Sequence, residues 1–182
     1  MRLWINLAVC NIFKKFDEHT LSSDYQMETM IRKANKKDMD AIVGLWEEMM
    51  KFHVKLSNLY ELKTNAKETY HEYLNEILKN DAAIILVYEM ENRLCGYLIA
   101  EESELPPVYK QTRIGSILEI SVTEKHQNKD IGSQLLKEIE KIFISKGIDR
   151  MECMVSCFNE ISKKFWFKNG FKTYNTVCFK NI

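Results

Sequence analysis

Several things are missing from this chain of 182 residues, and each absence removes a class of function. Neither sign of charge is in excess. Twenty-six lysines and arginines meet 26 aspartates and glutamates, so there is no basic field of the kind that holds a nucleic-acid backbone; a local basic pocket stays open. No apolar run reaches the roughly 20 residues that a membrane-crossing helix needs. No cysteine pair has C-x-x-C or zinc-cluster spacing. The five stand at 10, 95, 153, 157 and 178, and Cys153 and Cys157 have no histidine beside them in sequence. An odd set of scattered thiols reads as reduced, hydrophobe-like cysteines of a cytoplasmic protein, with no metal expected. G-x-S-x-G, Walker A and G-x-G-x-x-G loops are all lacking, which leaves hydrolase, NTPase and dinucleotide readings without support. Repeats and low-complexity stretches are lacking too.

What is present reads as one soluble domain: 46% apolar residues, 29% charged ones and a length that suits a single core. The opening Leu3–Phe13 (LWINLAVCNIF) is too short to span a bilayer. It resembles the apolar core of a signal peptide but has no A-x-A site after it. Ile5, Val9, Ile12 and Phe16 recur at helical spacing, so a short amphipathic helix is one reading. A start codon placed too early is another, since Met27 and Met30 stand just before the first periodic segment. Residues 1–29 are therefore an expected extension and 30–182 the expected domain.

Along that domain the pattern alternates. Ile31–Ala34 is a strand; Asn35, with Asp38 behind it, caps a helix striped by Met39, Ile42, Val43, Trp46, Met49 and Met50. Asn65 and Glu68 predict a capping box opening a second helix to Lys79. Ala82–Glu89 and Leu94–Glu101 form a hairpin. Pro106 and Pro107 interrupt regular structure, and Gly115–Val122 is a strand. Ile131–Lys146 is a helix closed by Gly147. Arg150–Phe158 is a strand, Asn159–Lys168 a short helix, and Phe171–Phe179 a last strand. The order β-α-α-β-β-β-α-β-α-β is that of a mixed α/β (α+β) fold.

The segment Val122–Leu136 (VTEKHQNKDIGSQLL) carries the chemistry. A strand ends, a polar loop follows, and a helix starts near Ile131. Unpaired N–H groups at a helix start bind phosphate, helped by the helix dipole. Gly132 and Ser133 are small enough to let a pyrophosphate approach, and Ser133 adds a hydroxyl.

These residues resemble the GNAT N-acetyltransferase superfamily, whose signature is V-x-x-x-x-[Q/R]-x-x-G-x-[G/A]. Val122, Gln127 and Gly132 match; Asp130 stands at the first glycine. Asn159–Phe171 (NEISKKFWFKNGF) resembles the family's second motif. The resemblance covers about 150 residues, and its two motifs lie in the right order. It implies a mostly antiparallel sheet with a splayed central parallel strand pair and helices on both faces. It also implies acetyl-CoA as co-substrate, no metal, a small-molecule or protein amine as acceptor, and a possible homodimer. The loop residues Gln127, Asn128, Lys129, Asp130, Ile131, Gly132 and Ser133 would hold the pyrophosphate. Backbone N–H groups of Ile120 and Val122, with Asn159, would hold the pantetheine arm, and Trp166 would pack on it or in the core. Trp166 stands where many family members place a tyrosine that protonates the leaving thiolate. An alternative is an acyl-CoA-binding sensor or scaffold that has lost catalysis.

An attacking amine must be neutral, and with a pKa near 10.4 only about one in 2,500 molecules is so at pH 7, so a base is needed. Glu119 is the candidate. It is a carboxylate in the otherwise apolar strand SILEISV, where Ile117, Glu119 and Ser121 alternate with Leu118, Ile120 and Val122; a salt bridge is the competing reading. Glu101 and Glu102 are reserve bases or hold a cationic acceptor, and Tyr109 lines its pocket or is an exposed loop aromatic. His19, His53, His71 and His126 sit in no recognisable constellation and read as structural or exposed.

Overall fold

The computed structural model describes residues 29–181. The expectations for residues 1–28, the amphipathic helix and the early start alike, lie outside the described residues.

The described chain runs β1 (Thr29–Lys33), α1 (Met39–Leu56), α2 (Ala66–Lys79), β2 (Ala83–Met90), β3 (Arg93–Glu104), β4 (Arg113–Val122), α3 (Ile131–Ser145), β5 (Met151–Cys153) and α4 (Glu160–Lys168). The strands form one mixed sheet in the order β1-β2-β3-β4-β5. The first four are antiparallel neighbours, and β5 lies parallel to β4. Both faces are covered, so β2 and β3 are apolar on both sides of the pleat. Ile85, Val87, Tyr97 and Ile99 meet α1 and α2, with Ile42, Val43, Trp46, Tyr70 and Leu74. Ile84, Leu86, Leu98, Ala100 and Ile117 meet α3 and α4, with Leu135, Ile139, Phe143 and Trp166. This is the mixed layer fold that the element order implied. Among the described residues no helix is long and apolar enough to cross a membrane.

Local chemistry explains most element ends. The Asn35 side chain accepts from Lys37 N–H, and the Asp38 carboxylate accepts from Asn35 N–H at 2.8 Å, a reciprocal cap. Arg32 grips Asp38 with two bonds of 2.8 Å and also reaches Glu89, tying β1 to the entry of α1. The Arg32 guanidinium holds the Asp38 carboxyl below the usual carboxylate range. Glu91 and Asn92 link β2 to β3 with φ of +51° and +60°, the signature of a two-residue type I′ turn. Gly147, at φ +72°, ends α3. Its N–H reaches Ile144 O and that of Ile148 reaches Phe143 O, both at 2.9 Å, while buried Ile148 shares the core of Phe143.

Three expectations are corrected. Asn65 makes no side-chain cap; its backbone, at φ −100° and ψ 31°, is not in the extended conformation that capping requires. The strand expected over Arg150–Phe158 shrinks to Met151–Cys153, because β5 pairs with β4 only from Gly115 to Ile117 and then departs. Phe171–Phe179 is not a strand: residues 171–181 carry no regular structure. The segment has a strand's side-chain pattern, but among the described residues no ladder partner takes up its backbone groups.

Candidate active site

The site begins with the change of pairing along β4. Gly115, Ser116 and Ile117 pair with Met151, Glu152 and Cys153 of β5. Beyond Ile117 that side of β4 has no strand partner among the described residues, so β4 and β5 splay apart. Thr123 N–H donates to Cys95 O on β3 at 2.9 Å. Backbone direction alternates along a strand, so the N–H groups of Ser121 and Glu119 face β3, and those of Val122 and Ile120 face the gap.

The strand also carries a bulge. Ile99 pairs with Glu119 and Ala100 with Ile117, leaving Leu118 without a partner. This corrects the simple alternation expected of SILEISV. Ile117 joins the α3 side of the core, and Glu119 falls opposite Ile99 on the α1/α2 side. One extra residue therefore moves a carboxylate onto the other face of the sheet, beside the start of the gap.

Glu119 is partly buried. Its Oε2 accepts from Tyr70 Oη at 2.6 Å and from Tyr97 Oη at 2.8 Å. Burial pushes its pKa up, and the two hydroxyls pull partly back. Both hydroxyls are pushed far above the usual tyrosine range, first by burial and also by the Glu119 charge, so they stay protonated and act as donors. Tyr70 is locked by stacking on Trp46, with ring centroids 4.1 Å apart and planes 8° from parallel. No basic side chain bonds to Glu119 among the described residues, so the competing salt-bridge reading has no partner here. Tyr73 extends the cluster towards solvent, 5.9 Å from the Tyr70 ring. Its hydroxyl is raised by burial and then by the charges of Glu119 and Glu101, which places both carboxylates around it.

The loop after β4 ends in donors that have no acceptors among the described residues. Asn128 and Asp130 both have φ of +62°, so left-handed residues flank Lys129, a backbone arrangement that turns successive N–H groups inward. The first intrahelical bond of α3 comes from Gln134 N–H to Asp130 O, at 3.0 Å, and Asp130 makes no side-chain cap. Among the described residues the N–H groups of Ile131, Gly132 and Ser133 have no acceptor. These orphan donors at the start of a 15-residue helix fit a pyrophosphate, and the open side of β4 fits an amide-bearing arm. Asp130 itself turns towards Lys168 on α4, with the carboxylate 3.8 Å from Nζ. Gly132 has a reason for its size that the sequence did not reveal: a Cβ there would stand 2.9 Å from the Phe165 ring, so the glycine lets α3 and α4 close.

Asn159 is buried and caps α4, accepting from Ser162 N–H at 2.9 Å. Its Nδ2 lies 3.4 Å from His53 Nε2, while His53 Nδ1 faces Met49 O at 3.1 Å. With Nδ1–H donating to Met49, Nε2 is the acceptor for Asn159. His53, expected to be merely structural, thus links α1 to the start of α4. Trp166 lies in the core, one of the two places expected for it. It is 5% exposed, packs edge-on to Phe165 and Phe171, and donates its indole N–H to Ser162 Oγ at 3.0 Å.

The remaining predicted residues separate. Glu101 shares the face of Ile99, two residues along β3. Glu102 bonds to Lys146 and Arg113, which hold its pKa down; this charged cluster ties β3 and β4 to the end of α3. Tyr109 is 58% exposed in the turn after Pro106 and is a loop aromatic. His71 faces Asp40 and Asn75, and His126 faces Thr123, both as local pairs. Sequence reasoning missed Tyr70 and Tyr97. The available signal was a tyrosine where the apolar stripe of α2 needed only a leucine, since a buried hydroxyl requires a partner.

Comparison with known proteins gives the family and the fold. The model of the acetyltransferase (GNAT) family matches residues 42–171. A spermidine N(1)-acetyltransferase of Thermoplasma acidophilum is 26% identical over an alignment of 160 residues that covers 82% of this chain and 92% of that protein. Among solved structures, a predicted acetyltransferase from Clostridium acetobutylicum with acetyl-CoA superposes with a TM-score of 0.69 at 18% identity, over 85% of this chain and 96% of that one. An aminoglycoside antibiotic 6'-N-acetyltransferase from Acinetobacter haemolyticus gives 0.69 at 14%, over 84% and 97%. With the loop, the splayed strands and the family match over residues 42–171 in agreement, the chain belongs to the GNAT acetyltransferase family and is an N-acetyltransferase.

Proposed function

We propose that this cytoplasmic enzyme transfers acetyl from acetyl-CoA directly to a primary amine of a small polycationic acceptor, with Glu119 as general base. The observation that carries the reading is the Glu119 cluster: a partly buried carboxylate with a raised pKa, held by two tyrosine hydroxyls beside the gap in β4. A carboxylate shifted upward is a stronger base near neutral pH than an exposed one. Acetyl-CoA supplies the activated acetyl as a thioester. The chain supplies the rest. Orphan N–H groups at the start of α3 neutralise phosphate charge, and the N–H groups of Ile120 and Val122 hold the arm and polarise a carbonyl in the gap. Glu119 Oε accepts the amine proton directly or through one water, and Tyr70 and Tyr97 fix its orientation. Trp166 offers no hydroxyl acid, but a thiol of pKa near 8.5 leaves tolerably as thiolate.

The acceptor class follows from Glu101, Glu119 and Tyr73 sharing one face. Two carboxylates and an aromatic ring suit an acceptor with a second ammonium besides the reacting one. Spermidine is such a molecule, and it is the substrate named for the Thermoplasma relative. The test is acetyl-CoA-dependent thiol release with spermidine, a monoamine, an aminoglycoside and a peptide with a free α-amine. Spermidine should give the highest kcat/KM, Glu119→Gln should abolish most of it, and Glu101→Gln should raise KM for spermidine more than for the monoamine. Equal turnover of the peptide, or of the monoamine, would reject the polycation reading while leaving the acetyltransferase assignment standing.

A further inference from the structure

Helix α1 is fastened to the chain on both sides of the gap between β4 and β5. On the β4 side, Glu48 Oε1 accepts from the backbone N–H of Glu124, two residues past the strand, at 2.9 Å. On the β5 side, His53 Nε2 meets Nδ2 of Asn159, the cap of α4, at 3.4 Å. Five residues separate these anchors, about 7.5 Å along a helix. Both lie past Ile117 and Cys153, where the two strands stop pairing. The second contact joins opposite layers, since α1 packs with α2 on one face of the sheet and α4 with α3 on the other. Helices on opposite faces touch only where no strand lies between them, which here is beyond the end of β5.

The atoms leave one hydrogen-bond assignment. Met49 O only accepts, so the ring proton of His53 sits on Nδ1, 3.1 Å away. Asn159 Oδ1 is used by Ser162 N–H at 2.9 Å, so the amide faces His53 with Nδ2, and Nε2 accepts. The imidazole is packed edge-on to Tyr60, with ring centroids 5.3 Å apart. Asn159 is 6% exposed, and its Nδ2 has no other acceptor among the described residues. Losing Nε2 therefore leaves a buried donor without its partner.

We propose that His53 is a positioning residue for the coenzyme. It fixes Asn159 and the start of α4 against α1, and together with Glu48 it sets the width of the gap that receives the pantetheine arm. The inference rests on that reading of the gap. It concerns the arm alone, because the phosphates are held by the N–H groups at the start of α3. A gap held at fixed width is preorganised, and removing an anchor weakens binding, since the ligand must then order these groups itself.

Calorimetry on the full chain with two ligands tests this. One is coenzyme A; the other is its phosphoadenosine diphosphate fragment, which keeps the phosphates and lacks the arm. His53→Phe keeps a ring to pack on Tyr60 but has no acceptor, and His53→Gln restores an acceptor near the place of Nε2. His53→Phe should weaken coenzyme A about tenfold, the size of one lost bond to a buried donor. It should leave the arm-free fragment unchanged and raise KM for acetyl-CoA by a larger factor than it lowers kcat. His53→Gln should recover most of the affinity. Nitrogen NMR of the unaltered protein in mildly alkaline buffer should find the His53 proton on Nδ1. Equal affinity of the wild type for the two ligands would overturn the reading of the gap, and the proposal with it. An arm-dependent affinity that survives His53→Phe, a Gln variant as weak as the Phe variant at equal thermal stability, or a proton on Nε2 would overturn the role of His53 alone.

Discussion

The two halves of β4 do opposite work. From Gly115 to Ile117 the strand is paired on both sides, and Gly115 admits the Phe143 ring, which a Cβ would strike. From Leu118 to Val122 it is paired on one side, bulged, and lined by a carboxylate and two inward N–H groups. Residues in the first half have backbone neighbours on both flanks, which leaves no gap for a ligand. The second half keeps polar groups unspent, which is a cost in a finished core and a requirement in an active site. A strand thus passes from scaffold to site where its neighbour leaves.

The comparison can be broken most directly at Glu119. Replacement by Gln keeps shape and hydrogen bonding but removes basicity, and turnover should fall about 10²–10⁴-fold with coenzyme affinity unchanged by calorimetry. Stability should move the other way. Glu119 has a folded pKa above its unfolded one. Its contribution to stability is therefore complete below the unfolded value and is lost as pH rises through the folded value. Above that window the wild type carries a costly buried charge, so Glu119→Gln should melt higher at neutral pH while the difference closes in acid. A variant that melts lower at neutral pH and keeps its turnover would make Glu119 structural.

In the scaffold half, Gly115→Ala should cost about 1–3 kcal/mol of unfolding free energy, the usual penalty of overpacking, because the buried Phe143 ring has no room to give. Turnover per folded molecule should hold. If chemical denaturation shows no loss, the close approach of α3 to β4 is softer than the structure states.

Asp130→Gly sharpens the loop side of the site. It removes a carboxylate near the orphan donors and relieves a left-handed backbone at φ +62°. Like charges about 4 Å apart repel by roughly 1–4 kcal/mol at surface dielectrics, but the Lys168 contact already offsets part of this. Acetyl-CoA should bind up to about tenfold more tightly. Weaker binding would give Asp130 a positive role through Lys168.

Tyr97→Phe removes one donor from the Glu119 carboxylate and leaves Tyr70 in place. The carboxyl pKa should rise further, moving the midpoint of the pH–rate profile upward. The rate near neutrality should fall a few-fold and recover at higher pH. A loss that pH does not repair would show that Tyr97 acts by packing. The smallest effect should come from starting the chain at Met27, which is expected to leave turnover and cooperative melting as they are.

Much of this was legible in the sequence because it depends on neighbours along the chain. The stripes of α1, α2 and α3, the Asn35 cap, the hairpin at Glu91–Asn92 and the stop at Gly147 are local, and each formed where the pattern predicted. So was the candidate loop, since a polar stretch feeding a glycine-bearing helix start exposes its N–H groups whatever surrounds it. The sequence by itself determined the types and order of the elements from β1 to α4 and a carboxylate in a central strand. Tertiary structure decided the rest. Which face Glu119 took depended on a bulge that only the pairing with β3 reveals. Its raised pKa depended on burial, and its orientation on Tyr70 and Tyr97, hydroxyls 49 and 22 residues away in sequence. Trp166 became core because Phe165 and Phe171 closed around it. Residues 171–181 have no strand partner among the described residues, because a strand exists only when another backbone accepts its hydrogen bonds, and that partner is a property of the assembled fold and not of the segment.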